Sequence, residues 1–397
     1  MNPLSVAVVG AGIGGLTTAL ALGRAGHRVT VVERRTGFAE AGAGLQLSPN
    51  ASRQLIAWGL GAALRRVAGE PERVVIRATR SGRTIGGIAL GPLMRERFGA
   101  PYWVVHRADL QTILLDAVRA LPNVRLGLGR SVDNLSRGER GAVLALATAG
   151  GARETLEADC IVGADGLWSS VRPALGDTRK PAFRGFVAWR TTIPRAQAPA
   201  GLDGNETGLW LGPRHHVVHY PVSGGRDLNI VAIERRRDPV EGWSAPGAPD
   251  DLLARFGGTA PLLRDLLARP TSWMQWSLFD LPVRGMADGR VALLGDAAHP
   301  VLPFLAQGAA LAIEDAAALV AALNANGGDV PSALRSYERE RLPRAQMVQR
   351  HARLNGWAYH RGGLLAFGRS LVFRKLGPEG LTERYGWLYR AGQPEAR

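Results

Sequence analysis

Three glycines and one acid near the N-terminus have the spacing of a dinucleotide-binding turn. Gly10, Gly12 and Gly15 follow the apolar residues 6–9, and Glu33 ends the next apolar stretch. In such a turn the glycines let the backbone approach a pyrophosphate, the next helix points its N-terminus at the phosphates, and the acid binds the adenosine ribose. An acid at this position favours a free ribose 2′-hydroxyl, so the pattern predicts FAD or NAD rather than NADP.

A second acid, Asp296, follows the apolar residues 291–294 and precedes an Ala-rich segment that predicts a helix from about Ala309. A carboxylate delivered to a loop ahead of a helix N-terminus can accept hydrogen bonds from sugar or ribityl hydroxyls. The positive helix end can stabilise an anion such as a reduced flavin ring. The same pattern also fits a purely structural strand, turn and helix.

Two further polar residues follow predicted strands. Arg107 comes after a strand over residues 103–105, just before a helix that we expect to begin at Asp109, so it can reach a phosphate or ribityl oxygen or lie on the surface. Asp165 follows a strand that ends at Gly163, at a turn before a helix expected to begin at Ser169 or Ser170. We therefore expect Asp165 to form a second wall of a cofactor cleft.

The elements that position these residues change character along the chain. Before residue 181, strands and helices alternate, and a Gly-rich stretch at 41–50 suits a loop against a ligand. From 181 to 282 strands dominate, with a helix predicted over 250–267. The strand before Asp296 then returns to the first pattern, which predicts a sheet-based domain inserted into a nucleotide-binding one. Further predicted strands cover residues 27–32, 74–80, 82–90, 124–132, 141–149, 184–194, 208–211, 215–222 and 228–234, and further helices cover 51–68, 313–324 and 331–356.

Composition narrows the function classes. The 397 residues, 46% of them hydrophobic, can bury a large core, and no run approaches the length of a membrane span. The formal charge of +15 comes almost entirely from scattered arginines without interleaved aromatics, so we expect no nucleic-acid partner. The single cysteine, Cys160, excludes internal disulfides and cysteine-based metal sites, and no metal site is predicted. With no leader pattern at the N-terminus, a cytoplasmic protein is expected.

Together these motifs resemble those of the single-component FAD-dependent aromatic hydroxylases, the group A flavoprotein monooxygenases. The resemblance covers nearly the whole chain and rests on the glycine turn with Glu33, on Asp165-Gly166, on GDAAHP at 295–300 with Gln307-Gly308, and on HRADL at 106–110. FVAWR at 186–190, HVVHYP at 216–221 and PFLAQGAALAIEDAAAL at 303–319 are most similar to the salicylate, 3-hydroxybenzoate and 6-hydroxynicotinate hydroxylase branch.

The resemblance implies an α/β fold. A doubly wound, Rossmann-like FAD-binding domain would comprise residues 1–73, 100–180 and 282–350. A substrate domain built on an inserted β-sheet would comprise residues 74–99 and 181–281. Residues 351–397 would form a helical C-terminal segment, and the protein would be a monomer or a homodimer.

The resemblance also implies a reaction and its cofactors. NADH or NADPH would reduce FAD, O2 would then give a flavin C4a-hydroperoxide, and this species would hydroxylate an activated ring, here a hydroxylated aromatic acid. The glycines would contact the pyrophosphate, Glu33 the ribose, Arg107 the phosphate or ribityl chain, and Asp296 the ribityl chain. The complete set of implied FAD contacts is Gly10, Gly12, Gly14, Gly15, Glu33, Arg34, Arg107, Val132, Asp165, Asp296, Pro300, Gly308 and Ala309.

Substrate activation needs a proton acceptor near the phenol, because a phenolate is the better nucleophile. On a predicted strand at 215–222, alternation places His216 and Tyr220 on one face, and the resemblance selects these two as catalytic candidates. Half-buried histidines in a sheet are the structural alternative. Gln307 is a third candidate.

For substrate binding, Arg190 would hold a carboxylate or else pack on Trp189. Gln46 stands where some relatives carry a more basic residue, which leaves ring-nitrogen substrates open. His299 is interpreted as structural or adjacent to the flavin.

Two other functions fit the same motifs. One is an FAD monooxygenase or epoxidase for a non-phenolic ring or polyene. The other is an FAD-binding protein without turnover, which would predict damage to a cofactor motif, and all three motifs are intact.

Overall fold

The computed structural model describes residues 2–38, 44–138, 141–202, 204–242 and 244–392. Its strands are β1 (Ser5–Val9), β2 (Arg28–Glu33), β3 (Gly44–Leu47), β4 (Arg73–Ala78), β5 (Thr84–Ala89), β6 (Trp103–His106), β7 (Val124–Leu128), β8 (Arg130–Arg137), β9 (Ala142–Thr148), β10 (Arg153–Ala158), β11 (Cys160–Gly163), β12 (Ala182–Pro194), β13 (Glu206–Gly212), β14 (His215–Val222), β15 (Asp227–Arg235), β16 (Ser244–Gly247), β17 (Trp273–Asp280), β18 (Ala287–Asp288) and β19 (Val291–Leu293). Its α-helices are α1 (Ile13–Arg24), α2 (Pro49–Ala57), α3 (Gly61–Val67), α4 (Pro92–Phe98), α5 (Arg107–Arg119), α6 (Pro249–Arg255), α7 (Pro261–Ala268), α8 (Gly308–Ala325), α9 (Val330–Tyr359), α10 (Gly363–Arg384) and α11 (Gly386–Tyr389).

The first sheet has six strands in the order β18-β19-β11-β1-β2-β7, and all neighbours except β18 and β19 are parallel. Its central strands β1 and β11 are apolar runs buried on both faces, as is typical of parallel sheets. The chain leaves β1 toward β2 and β7 and later returns on its other side to β11 and β19. Such a reversal opens a ligand crevice at the carboxyl ends of the strands. The glycine turn, Asp165 and Asp296 all follow strands at this edge, which confirms the predicted α/β fold.

The second large sheet has eight strands in the order β16-β17-β12-β15-β14-β13-β4-β5. Adjacent strands in this sheet are antiparallel, except for the parallel pair β13 and β4. The sheet is built from two separate parts of the chain, residues 73–89 and 182–280. Helices α6 and α7 cover one face, where Trp189, Trp210 and Trp273 are fully buried. The other face is turned toward the first sheet, and the division into domains given above stays a prediction.

Several predicted elements are interrupted, and in each case local chemistry explains the break. The helix predicted over 51–68 is two helices, because Gly59 adopts a left-handed φ of 72° between them. The one predicted over 250–267 breaks at Gly258, before Pro261 restarts a helix. The strand predicted over 124–132 turns at Gly129, with φ 67°. Instead of a helix at Ser169 or Ser170 there is a short 3-10 turn at Arg172–Leu175.

Helix α8 carries the Ala-rich segment that follows Asp296. The expectation that no run approaches a membrane span is wrong for this helix, which meets the length and hydropathy criteria for one, and 61% of it is buried inside the fold. Its neighbours are α1 and α9, and small alanine side chains let these helices pack closely. This packing fixes the N-terminus of α8 at the crevice.

Candidate active site

A cavity of about 330 Å³ separates the two sheets, and residues from both line it. The cofactor-side contributors among the predicted residues are Gly12, Gly14, Arg107, Asp296, Gly308 and Ala309. The contributors predicted for substrate and catalysis are Gln46, Arg190, His216 and Tyr220. Ten predicted residues from six separate segments therefore meet around one space.

The glycines of the N-terminal turn divide into two kinds. A Cβ at Gly10, whose φ is 104°, would lie 2.5 Å from the Ala164 carbonyl oxygen, and a Cβ at Gly15 would overlap the Gly10 carbonyl oxygen. These two glycines allow the turn to pack against β11 and the helix against the turn. At Gly12 a Cβ would meet nothing within 4 Å, so this backbone faces open space. The cradle thus fits a pyrophosphate at the α1 N-terminus.

A second opening lies behind the turn, lined by Gly10, Glu33, Arg34 and Asp165. The Glu33 carboxylate accepts hydrogen bonds from the Ala11 N–H at 2.8 Å and the Arg35 N–H at 3.0 Å. These bonds fix the acid beside the turn. The pairing of acid and arginines around an open space suits the ribose and phosphates of a nucleotide.

One carboxylate oxygen of Asp165 stabilises the turn that follows it, and the other oxygen is unpaired among the described residues. Its Oδ2 accepts from the Ser170 N–H at 2.6 Å and from the Ser170 hydroxyl at 2.9 Å. Its Oδ1 is buried and has no hydrogen-bond partner in the described part of the chain. A buried, unpaired carboxylate oxygen fits a site that a ligand completes.

Two arginines and one acid set the electrostatics of the main cavity. Desolvation lowers the pKa of Arg107, while nearby Asp296 raises it. The same desolvation raises the pKa of the Asp296 carboxyl, and the charges of His299, Arg107 and Arg190 oppose this. The Asp296 side chain is open to the cavity, so a hydroxyl-bearing ligand can reach it.

Arg190 turns toward this cavity and away from Trp189. Its guanidinium lies over the Trp276 ring, 5.3 Å from the centroid, and its buried Nε has no hydrogen-bond partner among the described residues. The Trp189 Nε1–H instead donates to Glu234 at 3.1 Å, within the opposite core. Packing of Arg190 on Trp189 was a wrong alternative, because consecutive strand residues face opposite sides.

The alternation predicted for β14 is confirmed. His216 and Tyr220 line the cavity, whereas the His215 ring packs against Phe256 and His219 lies near Trp210 in the opposite core. Burial lowers the pKa of His216 well below 6.5, and the neighbouring histidines lower it further, so the imidazole is neutral. Burial also raises the pKa of Tyr220, which therefore keeps its proton.

Four predicted contact residues do not line these openings: Gly15, which packs against the Gly10 carbonyl, and Gln307, Pro300 and Val132. Gln307 is 2% exposed, and its amide donates to the Ser48 hydroxyl at 2.9 Å and accepts from Asn50 at 3.0 Å. Its hydrogen bonds fix the start of α8, and its catalytic role stays a prediction. Pro300 is buried, and its carbonyl accepts from Gln349. Val132 lies in β8 of the separate three-stranded sheet.

His299 belongs to a buried network behind the Asp296 loop. Its Nε2 lies 2.6 Å from Asp315 Oδ2, and Arg341 bridges Asp315 and Glu314 at 2.8 Å each. Burial lowers the pKa of His299, but the Asp315 carboxylate raises it more, and the pKa of Asp315 falls to about 2. This charged network supports the structural interpretation of His299 and anchors the loop on α8 and α9.

Sequence reasoning missed a second chamber of about 100 Å³ that continues from the first. It shares Gln46 and His216 with the main cavity, and the Tyr102 hydroxyl donates to Gln46 Oε1 at 2.5 Å. Four of the chain's six tyrosines line this chamber, namely Tyr102, Tyr359, Tyr385 and Tyr389. The available signal was the concentration of tyrosines in the C-terminal segment.

Comparisons with known proteins agree with this geometry. A family model described as FAD binding domain matches residues 3–352. The 3-hydroxybenzoate 6-hydroxylase of Polaromonas naphthalenivorans (strain CJ2) is 35% identical over 392 residues, which covers 98% of this chain and 96% of that protein. The 3-amino-4-hydroxybenzoate 2-monooxygenase PtnB3 of Streptomyces platensis is 39% identical over 390 residues, which covers 97% and 95% respectively.

A solved structure shares the whole fold. Klebsiella pneumoniae HpxO, complexed with FAD and uric acid, superimposes with a TM-score of 0.85 at 28% identity, covering 98% of this chain and 97% of that one. The resemblance inferred from the motifs is thereby confirmed. The chain belongs to the FAD binding domain family and, within it, to the FAD-dependent monooxygenases that hydroxylate aromatic rings.

Proposed function

We propose that this enzyme uses FAD, NADH or NADPH, and O2 to hydroxylate a hydroxylated aromatic acid. The observation that carries the proposal is the shared cavity, in which a neutral histidine from the substrate sheet faces the glycine turn, Asp296 and the α8 N-terminus. The relatives named for hydroxybenzoate and aminohydroxybenzoate act on rings that bear both a hydroxyl and a carboxylate. The cavity offers one group suited to each of these substituents.

We assign FAD to the cofactor side of the cavity because the residues there fit its chemical groups. Gly12 and the α1 N-terminus would hold the pyrophosphate, Glu33 the ribose, and Arg107 and Asp296 the ribityl region. When bound there, FAD supplies the oxygen-activating redox chemistry. The protein's own share is to hold the ring, exclude water and handle the proton of the hydroxyl.

We assign the substrate hydroxyl to His216 and Tyr220. A neutral imidazole has a lone pair that accepts a phenolic proton, which makes the ring carbon a better nucleophile. Tyr220 keeps its proton because burial raises its pKa, and it forms a side-chain hydrogen bond with Gln46. It can therefore donate to a phenolate oxygen, and it lies four residues after His216 on the same face of the strand.

The substrate carboxylate is assigned to Arg190. This guanidinium is on the cavity, is enclosed, and has an unpartnered Nε. No arginine or lysine lines the tyrosine chamber in the described part of the chain, so an anion has no counter-charge there. The substrate would place its charge toward Arg190 and an uncharged ring edge or substituent toward the tyrosines.

The test is aerobic oxidation of NADH and of NADPH by the FAD-loaded protein with salicylate, 3-hydroxybenzoate, 4-hydroxybenzoate and 6-hydroxynicotinate. Hydroxylated product and hydrogen peroxide are assayed together. We expect one ring to stimulate oxidation and to yield matching product. Stimulation with peroxide alone across every ring tested would contradict the proposed substrate class and favour a non-phenolic or larger substrate.

A further inference from the structure

Behind His216 lies a second histidine that no motif predicted. His360 follows the last residue of α9, and its Nε2 is 2.9 Å from His216 Nδ1. The rings of Phe186 and Phe304 pack against it. The hydrogen bond joins the substrate sheet to the end of the C-terminal helix α9.

Which nitrogen carries the proton follows from the next contact. His360 Nδ1 lies 2.6 Å from the Gly356 carbonyl oxygen, one of the carbonyls left free at the end of α9. A carbonyl can only accept, so His360 Nδ1 carries a hydrogen. Burial lowers the pKa of His360 to about 4, although the bond to Gly356 raises it, so the ring is neutral and its Nε2 is an acceptor.

The protonation of His360 determines which ring nitrogen of His216 carries the hydrogen. Because His360 Nε2 accepts, His216 Nδ1 must donate, and the neutral His216 ring then keeps a lone pair on Nε2. The ring lines both the main cavity and the tyrosine chamber. No described residue hydrogen-bonds to Nε2, so this nitrogen is left for a ligand.

We propose that His360 is a positioning residue for the hydroxylation, holding His216 in the Nδ1-protonated tautomer with Nε2 as proton acceptor. This rests on the proposed function. In the step concerned, the substrate O–H bond breaks and an N–H bond forms at His216 Nε2, which gives a phenolate and an imidazolium. The imidazolium keeps its Nδ1–H bond to neutral His360, which orients and stabilises it, the role an acid plays in other base-orienter pairs.

The groups around the histidine pair offer His216 Nδ1 no hydrogen-bond acceptor other than His360 among the described residues. The charged and titratable groups that face the pair from the neighbouring strands and helices are His215, Arg184, Arg235, Arg353, Tyr359, Arg361 and Arg369. None of these is a carboxylate; across the main cavity His216 also faces Arg107, Arg190, Tyr220 and Asp296, and none of these four hydrogen-bonds to its ring. Arg184 and Arg353 are themselves paired with Asp280. A hydrogen-bond acceptor for His216 Nδ1 is therefore supplied by the neutral imidazole of His360.

The tautomer can be measured without any substrate. In FAD-loaded protein labelled with 15N-histidine, long-range 1H–15N correlation distinguishes protonated from bare ring nitrogens, and His216→Gln identifies the His216 signals. We expect a protonated Nδ1 and a bare Nε2 on His216. A protonated Nε2 would overturn the proposal. Because no substrate is present, this result stands even if the proposed substrate class fails.

Variants of His360 test the consequence for turnover. In His360→Gln the amide oxygen can still accept from His216, whereas His360→Phe keeps an aromatic ring and removes the acceptor. We expect His360→Phe to lower kcat by about tenfold or more with little change in KM, since general-base catalysis is worth about 10²-fold or more. His360→Gln should stay within about threefold of wild type, because the amide oxygen restores the acceptor.

His351→Gln is the matched control, because it makes the same substitution within α9, the helix that leads to His360, at a ring that packs against Trp387 outside the cavities. The phenolate absorbance of bound 3-hydroxybenzoate, followed against pH, provides a second readout: His360→Phe should shift ionisation to higher pH. Equal kcat and equal ionisation in wild type and His360→Phe would overturn the proposal. Absence of turnover in wild type would instead count against the proposed function, and the tautomer measurement would then decide this one.

Discussion

The two walls of the cleft are built in different ways. The cofactor wall consists of backbone turns and charges: glycines without side chains, the α1 and α8 N-termini, Asp296 and Arg107. The substrate wall consists of neutral, buried side chains, chiefly histidine, tyrosine and glutamine, with Arg190 as the cation. A nucleotide is polar and large, so it is bound by many fixed dipoles. A single ring is small, so its recognition depends on a few proton donors and acceptors held in place.

The largest effect is expected in the cofactor wall, where two glycine variants should distinguish a loss of stability from a loss of FAD binding. Gly15→Ala places a methyl group on the Gly10 carbonyl, so we expect the apoprotein to lose about 3 kcal/mol of stability or more and to lose FAD. Gly12→Ala faces open space, so the apoprotein should keep its stability while FAD binding weakens. Thermal unfolding and flavin fluorescence titration measure the two effects. Equal melting temperatures for both variants would contradict the assigned roles.

The next effect belongs to the second wall. His216→Gln should lower kcat by about 10² to 10⁴ with FAD binding unchanged, because it removes the proton acceptor. His215→Gln, on the opposite face of β14, is the control and should stay close to wild type. Stopped-flow and steady-state kinetics on the best ring from the substrate panel supply the comparison. If both variants behaved alike, strand position rather than chemistry would govern the loss.

Arg190 gives an intermediate effect that depends on the substrate's charge. A charge-assisted hydrogen bond is worth about 1.5–3 kcal/mol, so Arg190→Gln should raise KM for a carboxylate-bearing ring by about 10- to 100-fold. The corresponding phenol without a carboxylate should be affected far less. Parallel KM measurements on the acid and on the phenol check this. The same rise for both would show that Arg190 serves the cofactor instead.

The smallest effect is the pH dependence. His216 has a lowered pKa and Tyr220 a raised one, both through burial. The His216 imidazole therefore stays neutral as the pH falls through 6.5, and the Tyr220 side chain keeps its proton as the pH rises to 10.0. We expect kcat to be flat across this window, with any acid limb lying below pH 6.5. A kcat that halves near pH 6.5 would show that the base has an ordinary histidine pKa.

The site residues that could be predicted from the sequence are those placed by local rules of spacing and alternation. The predicted cofactor residues Gly10, Gly12 and Glu33 lie within one strand-helix-strand unit, so their spacing alone was enough to propose them. Period-two alternation was enough to place His216 and Tyr220 on one face. These are local rules, and the structure follows them.

What escaped prediction depends on contacts between distant segments. His360 meets His216 across 144 residues, and Tyr385 and Tyr389 reach the chamber from the far end of the chain. The hydrogen-bond partners of Gln307, Ser48 and Asn50, lie more than 250 residues away in the sequence. No spacing rule links such positions, and only the packed fold brings them together.

The most direct test of the central claim is turnover under ¹⁸O₂ with the ring that best stimulates NAD(P)H oxidation. The account predicts a hydroxylated aromatic acid that carries one ¹⁸O atom from O2, formed in step with NAD(P)H consumed. Product without the label, or hydrogen peroxide as the sole oxygen product for every hydroxylated aromatic acid, would contradict it.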